Sequence, residues 1–188
     1  MAELAFIVSV AFAHAMTNLD NFAVLMILAG AVGLSRCLCI FVVVQSLCLV
    51  IAGFVGESAT NFLGPWVGYI GFVPITMGAM ALWLRRQSQN DNPTEIPTSL
   101  SALTLLFFGL SFDTVAMIST IVGDSSADWK AYVYLGSVLS IFALVVLLIA
   151  YSKIGKSSRF VEKASTLAPY IMIAVGLYVL GDTLTDTI

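Results

Sequence analysis

Apolar residues run through this chain in long, nearly unbroken stretches, with no period-2 alternation of the kind a half-buried strand would show. Six stretches of about 20 residues or more are long enough to cross a bilayer as helices. They cover roughly 2–33, 37–57, 63–84, 99–123, 130–152 and 164–184. Most connections are short. The exception is "RRQSQNDNPTEIPT" at 85–98, a polar segment with two prolines that divides the chain near its middle, with Thr98 or Ser99 placed to cap the fourth helix. The pattern predicts an all-α integral membrane protein of six transmembrane helices. Pro74 predicts a kink in the third.

Two spans are interrupted. As a single helix, 2–33 would be about 48 Å long at ~1.5 Å per residue, against a hydrocarbon core of about 30 Å. It also carries "AHAMTNLDNFAVLM", in which His14, Thr17, Asn18, Asp20 and Asn21 crowd together. The fourth span carries "LSFDTVAM", with Ser111, Asp113 and Thr114. Breaks in helices 1 and 4 are expected at these clusters, because unwound backbone is tolerated at membrane depth where it lines a cavity.

The two clusters align. With "MTNLDNFAVLMILAG" (16–30) set over "GLSFDTVAMISTIVG" (109–123), Asp20 falls on Asp113, Asn18 on Ser111, Asn21 on Thr114 and Gly30 on Gly123. Later, "PITMGAMALWL" (74–84) falls on "MIAVGLYVLGD" (172–182), with Gly78 on Gly176. The chain therefore reads as one transmembrane domain, 1–188, made of repeat 1 (1–84), a linker (85–97) and repeat 2 (98–188). Three spans per half give the halves opposite orientations. This is the inverted repeat of many secondary transporters, whose sites lie near the midplane.

Composition agrees: hydrophobic residues make up 60% and charged residues 10%, against roughly 25% charged in soluble domains, too few to build a polar surface. Basic residues set the orientation. Arg36, Arg85, Arg86, Lys153, Lys156, Arg159 and Lys163 fall on one side and only Lys130 on the other. The basic side is expected to be cytoplasmic, in a bacterial-type inner membrane, with both termini outside. Glu57, Asp124 and Asp128 read as ordinary charges on the outer side; Asp182 ends the last span. No basic-aromatic pattern points to nucleic acid. Three cysteines, Cys37, Cys39 and Cys48, do not make a disulfide framework.

A charged Asp at mid-membrane costs about 2.5–3.5 kcal/mol. Asp20 and Asp113 are therefore expected to face the bundle interior, with Thr17, Asn18, Asn21, Ser111 and Thr114 supplying neutral oxygens. Such oxygens replace the hydration shell of a cation, and two carboxylates balance a divalent charge. The same pair is suited to carrying protons. Each Asp also has a plainer role open to it, bonding a neighbouring helix or capping a half-helix. His14 is a candidate proton relay or a packing residue. Met26 and Met117 are either soft sulfur ligands or membrane filler, and Cys37-x-Cys39 either a soft-metal pair or two small apolar residues, with the plainer role favoured in each case. Gln45 and Ser46, with Ser137 and Ser140, either line the path or bond between helices. An aspartyl-protease dyad would need G-x-G-D, and Leu110-Ser111-Phe112 precedes Asp113, so no enzyme is expected.

"TNLDNFAVLM", "GYIGFVPITMGAMALW" and "IMIAVGLYVLGDT" together resemble the cadmium-resistance transporter (CadD-like) family of the LysE superfamily. That family shows T-x-x-D-[DN]-x-x-V-L in span 1, matched by Thr17, Asp20 and Asn21, and G-[LF]-[IV]-P-I in span 3, matched by Gly71 and Pro74. Asp182 stands where the family usually has Glu. Asn21 replaces an acid, and "LSFDTVAM" is poorer in Gly and Asn than the family's span 4. The resemblance implies a small six-span inverted-repeat exporter of metal cations or small solutes. Export of a divalent cation by alternating access, with proton coupling, is the leading expectation. Export of a small organic solute such as an amino acid is the alternative, and a non-transporting membrane subunit a minor one. No cofactor is expected; the partners would be the bilayer, the cargo and a second copy in a homodimer.

Overall fold

The computed structural model describes residues 1–87, 100–154 and 168–181. Among these nearly every residue is helical and no strand forms. The elements are α1 (Ala2–Thr17), α2 (Leu19–Val32), α3 (Leu34–Leu63), a 3-10 segment (Gly64–Gly71), α4 (Phe72–Gln87), α5 (Leu100–Leu110), α6 (Phe112–Asp124), α7 (Ala127–Ile154) and α8 (Ala168–Leu180). Two helices, α3 and α7, are individually long and apolar enough to span a membrane. A third span results if α5 and α6 are taken as one helix bent by 45°.

The bundle has an apolar core, but its exterior is apolar as well and a set of polar side chains is buried within it. Thr17, Asn18, Asn21, Gln45 and Ser111 are fully buried, while Phe54 and Phe142 are 74% and 67% exposed. Apolar side chains such as Val43, Leu47, Val50, Leu139 and Val146 cover the outer faces of α3 and α7. An apolar exterior around a core that encloses polar groups is compatible with a lipid surround.

The stretch expected as the first span forms two helices. Asn18 separates α1 from α2 with φ −96°, ψ 9°. The stretch expected as the fourth span also forms two helices, and Ser111 separates α5 from α6 with φ −92°, ψ 7°. Both residues occupy the sparsely populated bridge region. Each ends one helix and starts the next, since Asn18 O accepts from Phe22 N at 2.9 Å and Ser111 O from Val115 N at 3.0 Å. Each side chain also reaches back to the carbonyl four residues earlier. Asn18 Nδ2 donates to His14 O at 2.9 Å and Ser111 Oγ to Phe107 O at 2.7 Å. Back-bonding of this kind competes with the helical ladder and bends it.

Other boundaries depart from the sequence expectation. A single residue, Gly33, joins α2 to α3, so the second span begins at Leu34 rather than 37. Its φ of 102° is a conformation that side chains with a Cβ rarely adopt. At its far end α3 continues past 57 to Leu63. Thr60 Oγ1 bridges Gly56 O (3.0 Å) and Gly123 O (2.7 Å), tying this extension to α6. The third span starts as a 3-10 segment, where residues i and i+3 eclipse. Trp66, Tyr69 and Phe72 accordingly stack, with centroids 5.5 and 6.2 Å apart. Pro74 falls in the first turn of α4, where no helical hydrogen bond is lost, so it begins a helix rather than kinking one. The capping positions Thr98 and Ser99, most of the linker, and Asp182 lie outside the described residues.

Helix directions follow from the contacts. Phe6 meets Trp129 edge-on at 5.0 Å and His14 meets Ser140, so α1 and α7 run parallel. Gln45 meets Ser111, and Gly56 meets Ser119 and Gly123, so α3 runs parallel to α5 and α6. Gly71 meets Gly176 while Gly78 meets Pro169, so α4 and α8 are antiparallel. Packing is uneven. α3 lies chiefly along α6 and only lightly on α5; α7 lies chiefly along α1 and only lightly on α2.

The α4–α8 contact depends on missing side chains. A Cβ at Gly71 would lie 2.5 Å from Gly176 O, and one at Gly78 2.5 Å from Pro169 O. Gly71→Ala is therefore expected to destabilise the protein by about 1–3 kcal/mol through overpacking. Gly109→Ala is the contrast, because a Cβ there meets nothing within 4 Å. It is expected to be neutral or stabilising by up to ~1 kcal/mol, as Ala replaces Gly in a helix. Thermal unfolding of the two variants in detergent checks this; equal midpoints would contradict the packing argument.

Candidate functional site

The two helix breaks meet. Asn18 and Asn21 from the first, Ser111 and Thr114 from the second, and Gln45 from α3 form one buried polar cluster. Gln45 Nε2 donates to Asn18 Oδ1 at 2.6 Å and to Ser111 Oγ at 2.9 Å. Asn21 Nδ2 donates to Asn18 Oδ1 at 2.9 Å and to Ser111 Oγ at 3.1 Å. Thr17 Oγ1 donates to His14 O at 3.1 Å and lies 3.5 Å from Thr114 Oγ1, at the outer limit of a hydrogen bond.

Two backbone carbonyls fix the sense of this network. His14 O can only accept, so the Asn18 amide must direct Nδ2 toward it, which leaves Oδ1 facing the cluster. Phe107 O can only accept, so Ser111 must spend its one hydroxyl hydrogen there and accept from the other side. The amide nitrogens of Gln45 and Asn21 are then required to face Asn18 Oδ1 and Ser111 Oγ. Both hydrogens of Gln45 Nε2 are used, while its Oε1 is buried without a partner. The donors are consumed inside the cluster and an oxygen acceptor is left over. An arrangement of this kind favours a cation or a hydrogen-bond donor over an anion.

The carboxylates occupy matching positions on the backbone. Asp20 is the second residue of α2 and Asp113 the second residue of α6. The Asp20 side chain lies outside the described residues. Asp113 is half-buried, and its Oδ1 accepts from Thr114 N at 2.7 Å. A carboxylate in the first turn of a helix gains about 0.3–1 kcal/mol from the dipole. That falls short of the roughly 2.5–3.5 kcal/mol cost of a charge at mid-membrane. The bond from Thr114 N gives Asp113 a local role in the first turn of α6.

The remaining candidates separate. His14 is fully buried, but its ring turns away from the amide cluster to Ser140 Oγ (Nδ1 at 3.0 Å), and Nε2 has no partner. What His14 gives the cluster is its carbonyl. Ser137 bonds its own helix at Val133 O. Cys37 is buried and Cys39 exposed, so the two do not face one ion. Met117 belongs to the apolar core, and Met26 packs against it. Among the described residues, no group of three or more His, Cys, Asp or Glu side chains is placed to hold a metal. Asp124, expected among surface charges, is 4% exposed at the end of α6, where that helix tucks against the 3-10 segment; Glu57 and Asp128 are exposed.

Sequence reasoning underrated two residues. Gln45 ties both breaks together, and Cys48, one turn further along α3, sits beside Ser111. Their i, i+3 spacing within a span that otherwise holds few polar groups was the available signal. Comparison with protein-family models, with curated proteins and with solved structures finds no match.

Proposed function

We propose that the chain is a six-span secondary transporter, built as two inverted three-span repeats, that exports a divalent metal cation by alternating access. The observation that carries this reading is the meeting of two helix breaks at Asn18 and Ser111. They share backbone angles, each back-bonds four residues earlier, and they join at a buried cluster whose surplus group is an oxygen. Discontinuous helices at a repeat interface are where secondary transporters bind substrate and coupling ions.

Helix directions support the topology. Six spans crossing alternately make the first and fifth parallel, the second and fourth parallel, and the third and sixth antiparallel, as their contacts run here. In this reading Asp20 and Asp113 supply the charge that a divalent ion requires, and Thr17, Asn18, Asn21, Ser111 and Thr114 shape the pocket between them. Protonation of one carboxylate would couple export to proton entry, since desolvation and like-charge proximity both favour holding a proton. The basic loops place the ion's entry at the cytoplasmic face. Membership of the CadD-like family fits this reading, on the three segments that resemble it.

Flux measured in proteoliposomes with a panel of divalent metals and an imposed pH gradient tests the proposal. Metal movement that depends on the gradient is expected. Movement of amino acids with no metal flux would replace the cation by an organic solute, and no flux of either would leave the chain a non-transporting subunit.

A further inference from the structure

Among the described residues, Gln45 is the one side chain that hydrogen-bonds both break residues from outside the two broken stretches. Its amide nitrogen is anchored twice, and the anchors are themselves oriented by His14 O and Phe107 O. Rotating the carboxamide by half a turn would set Oε1 against Asn18 Oδ1, two acceptors facing each other, and against a Ser111 hydroxyl whose hydrogen is committed elsewhere. The orientation is therefore held, and Oε1 stays buried with no partner.

A buried acceptor left unmade costs about 1–3 kcal/mol. An apolar side chain at position 45 would avoid that cost, and an amide needed only as a double donor would have its oxygen turned to some other N–H. A fixed, buried carbonyl oxygen beside Ser111, two residues before Asp113, is instead what a cation takes as a neutral ligand.

Resting on the cation-export reading, we propose that Gln45 Oε1 is a direct ligand of the transported cation and biases the site toward hard over soft ions. Asp20 and Asp113 set the charge of the site; Gln45 sets its softness. The nearby Cys48 thiol would then be the competing soft donor on the same face of α3.

The test compares Cd2+ and Mn2+ binding by isothermal titration of the full-length protein in detergent. Gln45→Met puts a thioether where the carbonyl stood, and Gln45→Glu puts a charged hard oxygen there. The ratio of Cd2+ to Mn2+ affinity is expected to rise with Met and fall with Glu. Each shift should be on the order of tenfold, the lower end of what residues around metal sites carry. If Gln45 only braces the two breaks, both variants weaken both ions alike and the ratio stays constant, which overturns the proposal. Wild-type protein that binds neither ion overturns the cation reading itself, a different result.

Should both variants fail to fold, infrared difference spectra provide the reading without changing position 45. The sequence has three glutamines, Gln45, Gln87 and Gln89. With Gln87 and Gln89 replaced by Asn and the protein grown on side-chain 13C-glutamine, the labelled carbonyl reports Gln45 alone. Its band is expected to move to lower frequency on adding Mn2+. A stationary band in protein that binds the ion overturns the assignment.

Discussion

Replacing Asp20 by Asn is expected to abolish metal flux in proteoliposomes while leaving the chain inserted and folded. The substitution keeps size and hydrogen-bonding capacity but removes the charge. If the ion loses a charged ligand, the effect should exceed the roughly 10–100-fold seen when outer-shell partners of metal sites are removed. Asp113→Asn should act in the same way, because both residues stand second in the half-helix that follows a break. Folding should survive in each case, since a neutral Asn is cheaper than Asp in a bilayer. Size-exclusion profiles and thermal midpoints check the fold, and tracer flux checks the function. Full export by Asp20→Asn would sink the mechanism. Loss with Asp20→Asn but not with Asp113→Asn would leave a single-carboxylate site and a weaker case for a divalent ion.

The second large effect is expected at Asn18. Leucine there is a good helix former of similar size, yet it removes one acceptor that receives two donors and one donor that holds a carbonyl. Gln45 and Asn21 would each lose the bond to Asn18 and keep the one to Ser111. Hydrogen bonds between membrane helices average about 0.6 kcal/mol by double-mutant cycle, because the unfolded chain in lipid also finds partners. Leaving buried donors stranded costs more, about 1–3 kcal/mol each. Asn18→Leu should therefore lower the thermal midpoint and suppress transport together. Asn18→Asp is the informative companion. It keeps an acceptor for Gln45 and Asn21, and in its neutral, protonated form its hydroxyl still donates to His14 O, so it should retain more of the stability than leucine does. Equal losses in the two variants would place the importance of Asn18 elsewhere than in its acceptor.

How far the sequence could be read depended on whether local pattern or tertiary contact decides the feature. The all-helical class and the interruptions of helices 1 and 4 were legible, because Asn18 and Ser111 sit in apolar runs too long for one bilayer. The alignment that put Asn18 on Ser111 also anticipated two residues with matching backbone angles. The side-chain partners were not legible. Nothing local says that Gln45 bonds Asn18 and Ser111, which lie 27 and 66 residues away. His14 reads as part of the polar cluster, yet its ring turns to Ser140, 126 residues away. Asp124 reads as a loop charge, and only the packing of α6 against the 3-10 segment buries it. The extension of α3 past Glu57 was hidden for a similar reason, since Thr60 gains its second partner, Gly123 O, from another helix.

The uneven packing has a consequence for energy. In the repeat correspondence α1 matches α5, α2 matches α6 and α3 matches α7. The close pairs α1–α7 and α3–α6 are thus the counterparts of the loose pairs α5–α3 and α2–α7. If the proposed inverted repeat holds and the N-terminus lies outside, α1 and α6 would be the outer half-helices and α2 and α5 the inner ones. Letting the two halves trade roles, so that α2 closes on α7 and α5 on α3 while α1 and α6 release, builds a second arrangement from the same kinds of contact. On the proposed export reading, the chain would behave as a rocker that rests on one of two sides built from the same kinds of contact. A cargo ion moves that balance only by the difference in its affinity for the two, and a gap of a few kcal/mol is enough to keep the unoccupied side rare.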